Sequence, residues 1–199
     1  MFTGLVEALT EILSITDEPA GKRFFVARPP AFDDLRIGDS IAISGCCLTV
    51  VEMDARSMVF QAGEETLSKT TLRGITGGSK VNCERAMKLG DRIGGHLVSG
   101  HVDGVGYVSS RVDNDEWSDI RFSAPAALMR QVVSKGSIAV DGTSLTVVDA
   151  TDTEFSVALI PHTLQVTTLG SLRVGDRVNL ETDMMAKYVE RQMAAWKPT

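Results

Sequence analysis

Paired cysteines, long apolar runs and an excess of positive charge are all missing from this chain of 199 residues. The three cysteines are Cys46, Cys47 and Cys83. An odd number with two adjacent does not make a disulfide framework. No stretch approaches the roughly 20 apolar residues that a membrane-spanning helix needs. The opening MFTGLVEALTEIL has no basic segment and carries Glu7 and Glu11, so it does not read as a signal peptide. These features together give the expectation of a cytoplasmic protein. The net charge is −6, with acidic and basic residues interspersed. That argues against nucleic acid as a partner, which usually calls for a basic stripe, and reads as ordinary solubility.

Cofactor motifs are absent too. There is no G-x-x-x-x-G-K-[ST] loop to cradle a nucleotide phosphate. The GVG at 104–106 lacks the third glycine and the following helix of a dinucleotide site. His96 and His101 are five residues apart, about 140° apart on a helix and on opposite faces of a strand. No C-x-x-C accompanies them, so no metal site is expected.

What the chain does have is itself, twice. Residues 40–52 read SIAISGCCLTVVE and residues 137–149 read SIAVDGTSLTVVD. Ser, Ile, Ala, Gly, Leu, Thr and both valines are identical, at an offset of 97. At that offset TTL (70–72) meets TTL (167–169), and GGSKVNCE (77–84) meets VGDRVNLE (174–181). TGLVE (3–7) meets SGHVD (99–103) at an offset of 96. A repeat this long means two similar domains rather than a solenoid. The expected division is a first domain over 1–87, a linker over 88–96, a second domain over 97–184 and a tail over 185–199. Units of about 90 residues bury only a modest core, so the two are expected to lean on each other or on partner chains.

Short, β-branched, often alternating segments recur between turn residues: 5–15, 22–29, 39–45, 47–54, 57–63 and 80–86, then their counterparts. Six strands per copy, joined by connections too short for a crossover helix, predict an all-β chain of two tandem six-stranded antiparallel barrels, Greek-key-like. Short helices or turns are expected at 66–73 and 163–169, and short capping helices at 29–35 and 124–132. The tail is the one long helix. Met185, Tyr188, Val189, Gln192, Met193 and Trp196 recur at helical spacing. Their stripe packs either on its own barrel or on neighbouring subunits.

The turn SGCCLT (44–49) and its counterpart DGTSLT (141–146) keep their glycine and threonine and differ between them. Gly45 and Gly142 permit a tight turn or a close backbone approach. Cys47 matches Ser144, and Thr49 matches Thr146. A flat heteroaromatic ligand suits such a mixture of open backbone and small hydroxyl or thiol groups. Cys47 reads also as a small buried hydrophobe, and the threonines as strand filler. In the first strands Phe2 stands where the second copy has Val98, and Leu5 where it has His101. Asp183 stands where the first copy has Ala86. It reads equally as a reactive carboxylate or as the N-cap of the tail helix.

The motifs MFTGLVE, SGCCLTV (44–50), GGHLVSGHVDG (94–104) and DGTSLTV (141–147) resemble those of the riboflavin synthase family of alpha-chain type, from Met1 to about Lys187. The resemblance implies two six-stranded lumazine-binding barrels and a C-terminal trimerisation helix. It implies a transferase that dismutates two molecules of 6,7-dimethyl-8-ribityllumazine. One gives four carbons to the other, yielding riboflavin and 5-amino-6-ribitylamino-uracil. No cofactor and no metal are implied. The partners are this small substrate, its product and two further copies of the chain, with neither nucleic acid nor membrane involved. The active site would lie between the first barrel of one subunit and the second barrel of the next.

By the same resemblance, the first barrel would bind substrate through Gly4, Leu5, Val6, Ser40, Cys47, Leu48, Thr49, Gln61, Ala62, Gly63, Glu64, Glu65 and Thr66. The second would use Gly100, His101, Val102, Lys135, Ser144, Leu145, Thr146, Ala158, Leu159, Ile160, Pro161, His162 and Thr163. Catalysis would fall to Cys47, His101, Ser144, Thr146 and Asp183, with Phe2 and His96 in support. Two other readings stay open: a lumazine-binding protein of the same fold without turnover, and a structural barrel with vestigial pockets.

Overall fold

A computed structural model of the chain describes residues 1–194. The first half holds six strands: β1 (Ala8–Glu18), β2 (Gly21–Ala27), β3 (Ser40–Ile43), β4 (Cys46–Met53), β5 (Ser57–Gly63) and β6 (Lys80–Arg85). They close into an antiparallel barrel in the order β1-β2-β5-β4-β3-β6. The jump from β2 to β5 and the return from β3 to β6 make it a Greek key. Helix α1 (Glu64–Lys69) and a 3-10 turn at Thr71–Gly74 connect β5 to β6.

The second half repeats the plan with β7 (Gly104–Asn114), β8 (Trp117–Ser123), α2 (Ala126–Met129), β9 (Ser137–Val140), β10 (Thr143–Thr146), β11 (Asp149–Ala150), β12 (Glu154–Leu159), α3 (Pro161–Val166), a 3-10 turn at Thr168–Ser171, and β13 (Arg177–Thr182). Its order is β10-β9-β13-β7-β8-β12-β11. Seven strands thus stand where six are expected, because the counterpart of β4 is broken. β10 and β11 sit at opposite ends of the curled sheet and are joined through Val147 and Val148 alone. Val147 N–H donates toward the β9 side, to Gly136 at 2.9 Å, and Val148 N–H toward β12, to Ser156 at 2.8 Å. The chain therefore bends across the seam. In the first half a register shift between Val50 and Glu52 does the same without a break.

The first half is thus a closed barrel and the second a curled sheet whose end strands do not pair with each other, and each half fills its own core. The first packs Ile12, Phe24, Ile41, Val50 and Phe60. The second packs Val108, Ile120, Val157 and the stacked rings of Phe122 and Phe155, whose centroids lie 5.3 Å apart. A third cluster of Phe2, Val98, Ala42 and Ala139 joins the halves. The segment expected as a helix at 29–35 is a run of turns instead: Pro30 biases Pro29 toward extended backbone, and the Phe32 N–H closes a turn on the Pro29 carbonyl at 3.0 Å. The tail forms α4 (Met184–Met193), so Trp196 and the remaining expected helix lie outside the described residues. No helix among the described residues is long and apolar enough to cross a membrane.

The two tight turns meet tip to tip. Ser44–Gly45 links β3 to β4 and Asp141–Gly142 links β9 to β10, with φ positive at all four residues. Two-residue loops of this kind match the strand twist. A Cβ on Gly142 would stand 2.7 Å from the Gly45 nitrogen, so no side chain fits there. Around the contact, Asn82 Nδ2 donates to the Asp141 carbonyl at 2.8 Å and Asn179 Nδ2 to the Ser44 carbonyl at 2.8 Å. Their Oδ1 atoms accept from Thr168 N–H at 2.8 Å and Thr71 N–H at 2.7 Å. Each half thus satisfies the other's buried backbone.

Candidate active site

The contact between the halves brings the candidate residues into two related groups. In one, Ser144 at the start of β10 donates its backbone N–H to the Gly4 carbonyl at 2.8 Å. Its hydroxyl lies 2.7 Å from Nδ1 of His96. In the other, Cys47 at the start of β4 donates its N–H to the Gly100 carbonyl at 2.8 Å, and His101 follows directly. Gly4 and Gly100 have φ of 75° and 79°. Cβ atoms there would lie 2.5 Å from the Ser144 side chain and 2.6 Å from that of Cys47. Only glycine lets the two segments come this close.

His96 is held by its backbone N–H, which donates to the Thr3 carbonyl at 3.2 Å. Burial lowers the imidazole pKa below the ordinary value, while the negative charges of Asp183 and Glu181 pull the other way. The ring is therefore neutral near pH 7, and a neutral Nδ1 can accept the Ser144 proton. Nε2 is buried with no hydrogen-bond partner among the described residues. The linker glycine Gly95 packs against both Thr3 and Ser144, which carries His96 into the site.

Of the three thiols, Cys46 and Cys83 are buried and Cys47 is half-buried. Burial pushes Cys46 up to about 12 and Cys83 also upward, so both are inert hydrophobes. Thr49 pairs with Ser40 across β3 and β4, and Thr146 with Ser137 across β9 and β10. Both threonines are exposed. Asp183 caps α4, accepting the Met185 N–H at 2.9 Å. The cap and a role beside His96 are thus compatible.

The other candidates divide by burial. Leu5, Gln61, Gly63, Glu64, Glu65, His101, Ala158, Ile160 and His162 are exposed, and Val6, Thr66, Val102, Leu145, Pro161 and Thr163 are half-buried. Leu48, Ala62 and Leu159 point into the barrel cores, and Phe2 is fully buried between the barrels. Phe2 therefore supports Gly100, whose Cβ would stand 2.9 Å from the ring. Lys135 is exposed, with φ at 67° where the first copy has Gly38 at 95°. Residues 61–66 and 158–163 are matching β5–α1 and β12–α3 corners.

Four residues of this arrangement were not singled out in the sequence: Asn82, Asn179, Glu84 and Glu181. The signal was present. Val-Asn-x-Glu recurs at 81–84 and 178–181, and polar groups repeated in strand centres ask for buried partners.

The lumazine binding domain matches residues 3–86 and again residues 99–183. A riboflavin synthase of Mycobacterium tuberculosis is 46% identical over 97% of this chain and 98% of its own length. The chain belongs to the lumazine-binding family of riboflavin synthases. The Escherichia coli riboflavin synthase is 41% identical over 98% of the chain and 94% of its own length. The one from Photobacterium phosphoreum is 42% identical over 100% of the chain. Among solved structures, LumP complexed with riboflavin superposes with a TM-score of 0.85 at 26% identity, covering 92% of this chain and 99% of LumP. LumP complexed with flavin mononucleotide gives 0.82 at 24% identity, which speaks for the fold. The family's doubled domain thus coincides with the two halves described above.

Proposed function

We propose that the chain is a cytoplasmic riboflavin synthase that converts two 6,7-dimethyl-8-ribityllumazine molecules into riboflavin and 5-amino-6-ribitylamino-uracil. One observation carries this reading: two like barrels present like cradles that differ at their reactive positions. Ser144 with His96 stands in one, and Cys47 in the other. Two identical molecules can then play unlike parts. Holding both rings face to face replaces a bimolecular encounter, an advantage of up to about 7–11 kcal/mol.

In the proposed chemistry a methyl proton leaves one electron-poor ring and a nucleophile adds to the other. Neutral His96 takes the Ser144 proton as bonds form, and Nε2 faces the bound ring. His101, which follows Gly100 beside Cys47, moves protons at the second ring, which Cys47 and Thr49 flank. Asp183 orients His96, and Thr146 and Ser40 bind polar edges. The barrels are the substrate domains, and 88–96 is the linker that delivers His96.

The complete site forms between subunits of a trimer held by α4. Met185, Tyr188, Val189 and Met193 are all more than half exposed, and Met185, Val189 and Met193 line a groove with Val133. The direct test is to incubate purified protein with the lumazine alone. Riboflavin should appear without added cofactor, at one per two substrates consumed. Bound but unconverted lumazine would leave a binding protein instead, and no binding a structural barrel.

A further inference from the structure

Two buried carboxylates do not belong to any part of the chemistry above. Glu84, in β6, accepts from Thr3 N–H at 2.6 Å, Thr3 Oγ at 2.8 Å and Gly4 N–H at 3.0 Å. Glu181, in β13, accepts from Ser99 N–H at 2.6 Å, Ser99 Oγ at 2.7 Å and Gly100 N–H at 2.9 Å. The two clamps are copies of each other, with one oxygen on the amide and hydroxyl of one residue and the other oxygen on the next amide. Charge-assisted bonds of this kind are short and strong. Burial pushes the Glu84 pKa up and its three donors pull it back.

The glycines whose amides the clamps hold present their carbonyls to the other half, not to their own. The Gly4 carbonyl accepts from Ser144, in the second barrel, and the Gly100 carbonyl accepts from Cys47, in the first. A connected chain therefore runs from Glu84 through Gly4 to Ser144, and its twin from Glu181 through Gly100 to Cys47. No bond in either chain exceeds 3.0 Å. Each chain crosses the contact between the halves.

We infer that Glu84 and Glu181 are positioning residues that act crosswise, each setting the reactive turn of the opposite barrel. The inference rests on the proposed function for its catalytic consequence, but not for its geometry. It follows that a change at one barrel's clamp is read in the other barrel's chemistry. The pairing of unlike roles is thereby built into one chain.

The test is a pair of conservative substitutions. Glu84→Gln and Glu181→Gln keep shape and one acceptor oxygen, but set an NH2 against Gly4 N–H or Gly100 N–H. Amide exchange, read by mass spectrometry on overlapping peptides, should rise about tenfold at Ser144 in Glu84→Gln and at Cys47 in Glu181→Gln. The amide of the same barrel should stay within about twofold in each. For turnover of the lumazine, Glu84→Gln should lower kcat about tenfold in the native and Cys47→Ser backgrounds, and less than about twofold in Ser144→Ala. Glu181→Gln should show the reverse pattern. Should either glutamine variant fail to fold, Thr3→Ala and Ser99→Ala remove one bond from each clamp and ask the same question. Exchange that rises only within the same barrel, or equally in both, overturns the inference, and so does additivity in all backgrounds. A native protein that never turns over lumazine would instead sink the proposed function and leave the exchange result to decide the clamp.

Discussion

His96 Nδ1 and Ser144 Oγ face each other at 2.7 Å, although one residue lies between the two matched domains and the other at the start of a strand. Gly95, which has no side chain to collide with Thr3 or Ser144, permits the approach. Ser144→Ala and His96→Gln are each expected to lower kcat by about 10²–10⁴, the usual range for a lost proton-transfer group. The melting temperature should move little, since neither side chain fills a core. The acid limb of kcat should fall below the ordinary histidine value near 6.5, because burial keeps the ring neutral to lower pH. Full turnover in both variants would remove the pair from the mechanism.

Lys135 occupies a left-handed backbone conformation that its counterpart Gly38 adopts at no steric cost. A lysine kept there carries strain on the order of 1 kcal/mol. Lys135→Gly should therefore raise stability slightly, by up to about 1 kcal/mol, and weaken riboflavin binding in a fluorescence titration. Unchanged binding would show that the lysine serves no ligand.

Asp141 is buried at the meeting of the two turns, where Ser44 stands in the first copy. Its Oδ1 accepts from Asn179 N–H at 2.8 Å, and burial pushes the carboxyl up to about 7. The native state then binds a proton that the unfolded chain releases above about 4. Stability should be greatest below pH 4 as far as this group is concerned, and fall as the pH rises from about 4 to 7. The loss is on the order of a few kcal/mol. Asp141→Asn, which keeps an acceptor for Asn179, should flatten that window in denaturant melts. A wild-type curve without a slope difference there would refute the assignment.

Gly142→Ala should cost about 2–4 kcal/mol. It adds a Cβ within 2.7 Å of Gly45 and forces a positive φ of 78° on alanine. Thermal unfolding of the intact chain measures it. A loss below about 1 kcal/mol would mean that the turn tips separate easily.

Val189→Asp places a charge on the exposed apolar side of α4 and should turn a trimer into folded monomers. Sedimentation velocity, with circular dichroism as the check on folding, decides this. A variant that still sediments as a trimer removes α4 from the assembly.

Much of the chain could be read from its letters. Strand residues and the glycine turns are local properties, carried by β-branched alternation and turn chemistry, and the duplication shows in the repeat offset. The region β5 was legible to the residue, at 57–63. The broken strand at Val147–Val148 was not, because SLTVVDA reads as continuous, and only the folded sheet sends β10 to β9 and β11 to β12 at its opposite ends. The purpose of Glu84 and Glu181 was hidden for a similar reason: their partners lie about 80 positions away.

By itself, the sequence determined that two β-folded repeats of one design share this chain, and which loops carry thiol, hydroxyl and imidazole. Only the tertiary structure decided that Ser144 answers to Gly4 and Cys47 to Gly100, each across the contact between the halves. Alternation and turn chemistry act over a few residues, whereas those contacts exist only once the two glycine-tipped turns have packed against each other.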